Sequence, residues 1–101
     1  MADLLDEAAV ADALTRLPGW RRDGDELVLT VTAPSFLTGI DLVNQVATIA
    51  EAADHHPDID IRWSTVRFAC STHSAGGLTA ADTALAGQIS AAAAAVGAGT
   101  D

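Results

Sequence analysis

The chain has 101 residues; half are hydrophobic, only four are aromatic, and fourteen acids against five arginines and no lysine give a net charge of −9. That length suits one domain, in which roughly two-thirds of the unfolded surface becomes buried. The charge excludes the basic footprint of a nucleic-acid binder or of a protein held on an anionic membrane.

Asp3 to Leu17 is predicted as a first helix. Asp3, Asp6 and Glu7 suit its positive N-terminal end, and Leu5, Ala9, Ala13, Leu14 and Leu17 recur at helical spacing. The acidic start carries no signal peptide, and no apolar run reaches 18 residues, so a cytoplasmic protein is expected. Pro18-Gly19 ends the helix. Trp20–Arg22 and Leu27–Val31, separated by Asp23-Gly24-Asp25, read as a hairpin.

Thr32-Ala33-Pro34-Ser35 punctuates the chain before a long second helix. Phe36, Ile40, Val43, Ala47 and Ala50 line one stripe, with Val46, Ile49 and Ala53 beside it; Asp41, Asn44, Thr48 and Glu51 lie opposite. Pro57 stops this helix near Asp54 to His56. Glu51, Asp54 and His55 share a face of its last turn by i,i+3 and i,i+4 spacing.

A second hairpin follows. Ile59, Ile61 and Trp63 alternate with polar residues, as do Val66, Phe68 and Cys70. A turn at Ser64-Thr65 pairs Trp63 with Val66, Ile61 with Phe68 and Ile59 with Cys70. Extended outward, that register sets His56 opposite His73. The lone Cys70 has no internal disulfide partner and fits a reducing compartment. After a loop at Ser74–Gly77, Thr79-Ala80-Ala81-Asp82 has the form of a capping box opening a third helix, Ala80 to Ala95. Gly97 to Asp101 is expected to fray. The order αββαββα, without βαβ crossovers, predicts an α+β fold: a four-stranded antiparallel sheet with three helices on one face.

All three histidines, His55, His56 and His73, fall between Glu51 and His73. Histidine is the side chain that exchanges protons most readily near neutral pH, so proton chemistry is expected here. Asp82 reads first as a capping residue, Trp63 as core or interface filler, Glu51 as a solvated charge, and Gly76-Gly77 as loop geometry. Three histidines among carboxylates also suit zinc, although the adjacent side chains of His55 and His56 diverge on a helix or a strand.

Taken together, Leu17-Pro18-Gly19-Trp20, Asp54-His55-His56-Pro57, Trp63, Ser71-Thr72-His73, Gly76-Gly77-Leu78-Thr79 and Asp82 resemble the pterin-4a-carbinolamine dehydratase family, from about Leu4 to Ala95. The resemblance implies the same αββαββα fold, assembled as a dimer or tetramer. It implies a lyase that removes water from a 4a-hydroxytetrahydropterin to give quinonoid dihydropterin, with no cofactor. Carried over by position, His55, His56 and His73 form the catalytic set, with His55 and His73 moving protons and His56 positioning the pterin. Glu51, Asp54, Trp63 and Asp82 are the candidate substrate-binding residues. The chain departs from the vertebrate type at Asp58-Ile59, where a tryptophan is usual, and at Trp63, where a tyrosine is. Family members also serve as dimerisation or assembly factors, and the Ala-rich third helix offers a close-packing surface for that alternative.

Overall fold

A computed structural model describes residues 3–100. Helix α1 spans Glu7–Thr15, strands β1 and β2 Arg21–Asp23 and Glu26–Thr32, and helix α2 Phe36–Ala53. Strands β3 and β4 span Asp58–Arg62 and Thr65–Cys70, and helix α3 Ala80–Ala95. The sheet is antiparallel in the order β1-β2-β4-β3, so β3 is an edge strand. This is the expected α+β arrangement. Leu27, Leu29, Val31, Val66, Phe68 and Cys70 share one face of the sheet and join Leu42, Val46, Leu85 and Ile89 of α2 and α3 in the core. The other parity, including Thr30, Thr65, Asp60, Arg62 and Arg67, lines the uncovered face.

Several local expectations shift. Helix α1 starts at Glu7 rather than Asp3, because Asp6 takes the N-cap and accepts from the Ala9 amide. The residues before it instead run beside the start of α3, where the Leu5 amide donates to the Leu78 carbonyl at 2.8 Å. The buried stripe of α2 is Gly39, Leu42, Val46 and Ala50, while Phe36 and Leu37 are exposed. Helix α2 ends on Asp54 in the left-handed region (φ 49), a conformation Asp tolerates better than most residues.

The last residues are docked rather than frayed. Gly97 (φ 75) and Ala98 close α3 with a Schellman pair, Gly97 N–H to Ala94 O at 3.1 Å and Ala98 N–H to Ala93 O at 2.9 Å. Gly99 then exchanges two backbone hydrogen bonds with Thr32. Asp101 lies outside the described residues, as do Met1 and Ala2 of the acidic start.

The β3–β4 register also differs. Ile59 faces Phe68, Ile61 faces Val66 and Arg62 faces Thr65, so the turn is Trp63-Ser64 rather than Ser64-Thr65. Trp63 takes φ 53, and its side chain is carried out of the strand alternation to 88 % exposure. Its apolar character and its parity with Ile61 pointed to a strand position. The backbone reversal needed a positive φ, and the chain has no Asn-Gly to supply it.

Candidate active site

Three breaks in regular structure converge at one end of the second hairpin. Helix α2 stops at Asp54, β4 stops at Cys70, and α3 starts after Thr79. The segment between β4 and α3 closes on itself. Thr72 N–H donates to Gly77 O at 3.0 Å, Gly77 N–H returns to Thr72 O at 3.3 Å, and Gly76 (φ 78) makes the reversal. His73 sits on that loop, exposed, in a single 3₁₀ turn, His73–Ala75.

Asp82 ties the three elements together. Its carboxylate is 0 % exposed and fully engaged. Oδ2 accepts from the Thr79 amide at 2.9 Å and from the Thr72 hydroxyl at 2.6 Å, and Oδ1 lies 2.6 Å from His55 Nε2. The Thr72 hydroxyl gives its one proton to Asp82, so in its 2.8 Å contact with Thr79 Oγ1 the Thr79 hydroxyl is the donor. Asp82 therefore caps the helix as expected and does more. No buried side-chain polar atom among the described residues lacks a partner.

The consequence for His55 is a fixed tautomer. An ionised carboxylate only accepts, so Nε2 of His55 donates to Asp82 and Nδ1 is left as the free ring nitrogen. The ring is half-buried, with 15 % of its side chain exposed. A charged buried network of this kind is well satisfied, and loss of one member leaves the others unpaired.

His56 is paired differently from the sequence expectation. Glu51 shares a helical face with His55, but it is His56 Nε2 that lies 2.5 Å from Glu51 Oε1, because the chain turns out of the helix at Asp54. Both partners are largely exposed, so this pair contributes little stability, about 0–1 kcal/mol. Asp54 is exposed at the helix end. The expected opposition of His56 and His73 is not formed: with the observed register extended, His55 falls opposite Thr72, the neighbour of His73.

Trp63 is not brought to these residues within its own chain. It lies at the far end of β3, six residues beyond Pro57, which at ~3.3 Å per residue is on the order of 20 Å. Thr72 is the residue that sequence reasoning missed as a participant. The signal available was the i,i+10 pairing of a threonine with the N3 acid of a capping box, which carries no local periodicity.

Cys70 ends β4 beside this network, buried and free. Burial pushes its thiol up to about 12, reinforced by the carboxylates of Asp82, Asp58 and Glu26. It is therefore held as a neutral thiol and is poorly suited to act as a nucleophile. Among the described residues no group of three His, Cys, Asp or Glu side chains is arranged to hold a metal ion, and no helix is long and apolar enough to cross a membrane.

The family described as "Pterin 4 alpha carbinolamine dehydratase" matches residues 3–92. A Nocardia farcinica protein named "Putative pterin-4-alpha-carbinolamine dehydratase" is 59% identical over 86% of this chain and 92% of its own length. A protein of the same name from Mycolicibacterium smegmatis is 52% identical over 85% of this chain and 92% of its own. In three dimensions the chain is similar to a transcriptional coactivator/pterin dehydratase from Brucella Melitensis, with TM-score 0.87 and 29% identity, covering 90% of this chain and 99% of that one.

Proposed function

The chain belongs to the pterin 4 alpha carbinolamine dehydratase family, and on that premise we propose that it dehydrates a 4a-hydroxytetrahydropterin to the quinonoid dihydropterin, as one cytoplasmic domain acting in tetrahydrobiopterin recycling. The reaction breaks the C4a–OH bond and removes the proton on N5. One group must protonate the departing hydroxyl and another must accept the N5 proton; each such transfer contributes on the order of 10²–10⁴-fold.

The observation that carries the reading is the Asp82–His55 pair. With Nε2–H committed to Asp82, His55 presents Nδ1 as its exchangeable nitrogen. His55 and His73 are assigned to proton transfer, and His56, anchored by Glu51, to holding the pterin. Glu51 and Asp54 are exposed carboxylates at the mouth of the site, able to accept from the N–H groups of a reduced pterin. Asp82 has no free acceptor directed outward, so its role is to position His55 rather than to touch substrate.

The active form is a homo-oligomer in this reading. Ile61, Trp63, Phe36 and Leu37 are exposed, and burial of large apolar side chains of this size is the common driving term for association.

The test is stopped-flow absorbance of chemically generated 4a-hydroxytetrahydropterin with wild type, His55→Ala and His73→Ala. Wild type accelerates dehydration and each variant loses at least about 10²-fold. Unchanged turnover in both variants overturns the assignment.

A further inference from the structure

Strand β2 begins at the same end of the sheet as the histidines. Leu27 pairs with Cys70, the last residue of β4, and the residue before Leu27 is Glu26. Extending that register by one step sets Glu26 beside Ser71. Extending the β3–β4 register by two steps sets His56 on the other side of Ser71. Glu26, Ser71 and His56 thus fall in one row across the sheet, with the parity of its uncovered face.

Two further observations bring Glu26 to the site. A Cβ added to Gly77, on the loop that carries His73, would lie 3.6 Å from Oδ1 of Asp25, so the turn before β2 packs against that loop. Burial raises the Cys70 thiol, and Glu26 adds to the effect with Asp82 and Asp58, which sets its charge in the neighbourhood of the Asp82–His55 pair.

Glu26 also differs from the other acids in its surroundings. Among the described residues Asp82 is the buried carboxylate and Glu26 the half-buried one; every other acid is exposed. Asp82 is fully engaged. No hydrogen bond or ion pair among the described residues engages Glu26. Withdrawing a carboxylate from water without giving it a donor is unfavourable, and a ligand that brings donors relieves the cost.

We infer that Glu26 is a substrate-contacting residue of the pterin site and accepts from the edge formed by N3–H and the 2-amino group of the pterin ring. The inference rests on the dehydratase reading and extends it. Those two donors are adjacent and point the same way, as the N–H pair of a guanidinium does. A carboxylate with both oxygens free accepts from them in parallel. Glu51 has one oxygen committed to His56 Nε2, and Asp54 is exposed, where water competes. The backbones of Glu26 and His56 are two strand spacings apart, about 10 Å. A two-ring heterocycle fits between them with its pyrimidine edge at Glu26 and its C4a and N5 toward His55 and His73.

Titration calorimetry with two probes tests the contact without turnover. One probe is 7,8-dihydropterin; the other is 7,8-dihydrolumazine, in which a 2-oxo group replaces the 2-amino group. Wild type is expected to bind dihydropterin at least about tenfold more tightly, because the 2-oxo oxygen faces a carboxylate that has no proton to give. Glu26→Gln keeps the shape of the side chain and offers one acceptor and one donor, matched to N3–H and a 2-oxo group. Its affinity for dihydropterin is expected to fall about tenfold, and the preference to vanish or reverse. Glu26→Ala loses the preference without reversing it. The wild-type ratio retained in either variant, with the fold checked by circular dichroism, overturns the assignment. Equal binding of the two probes by wild type overturns it whatever the variants do. Failure of the dehydratase reading is separately visible, because wild type would then bind neither probe, and the inference would fall with it.

Discussion

Nε2 of His55 lies 2.6 Å from Oδ1 of Asp82, a carboxylate with no solvent exposure that belongs to the first turn of α3. One carboxylate thus caps a helix, holds the Thr72–His73 loop and sets the tautomer of a half-buried imidazole. The helix cap and the orientation of the site are the same set of hydrogen bonds.

Asp82→Asn separates these roles. An amide cannot accept at both ends, so the variant is expected to fold while losing the fixed donor geometry at His55, with kcat falling about 10²-fold. Nitrogen-15 NMR of the imidazoles supplies the discriminating readout: wild-type His55 carries its neutral-form proton on Nε2, and the variant shifts it toward Nδ1. A wild-type tautomer in Asp82→Asn with reduced activity would refute the positioning role.

Thr72→Val keeps the shape of the side chain and removes the hydroxyl. It leaves Asp82 Oδ2 short of one donor and the Thr79 hydroxyl without an acceptor, so a loss of about 1–3 kcal/mol is expected. Thr72→Ser restores most of it. Urea denaturation followed by circular dichroism measures both, and equal stability of all three proteins would show that the network contributes nothing net.

Cys70 makes a pH prediction with a known sign. Its folded pKa is raised to about 12, so the thiol binds its proton more tightly in the folded state, and the associated stability is complete below the unfolded value. Stability should therefore fall as pH rises from about 9 toward 12, with a limiting slope of about 1.4 kcal/mol per pH unit. The window is clean, since the chain has no lysine and no tyrosine. Cys70→Ala should flatten the profile, and an unchanged slope in that variant would disprove the assignment.

Much of the architecture was legible in the chain because it is locally encoded. The αββαββα order followed from apolar periods of 3.6 and 2, from Pro18-Gly19 and Pro57, and from the Thr79–Asp82 capping box, each a property of a few neighbouring residues. That all three histidines fall within one stretch, Glu51 to His73, was read directly from the chain.

Tertiary structure decided what depends on long-range geometry. Trp63 follows the period of its strand, yet the reversal between β3 and β4 required a positive φ and took it into the turn, moving every cross-strand partner by two. Glu51 was one helical turn from His55, yet the left-handed Asp54 redirected the chain and gave it His56 instead. Asp82 read first as a cap and, by resemblance, as a substrate-binding candidate; nothing local tells a carboxylate that a histidine 27 residues earlier will arrive at its second oxygen. Local pattern sets which elements form; the partners of their polar side chains are set by packing, since burial forces each such group to find whichever donor or acceptor the fold brings within reach.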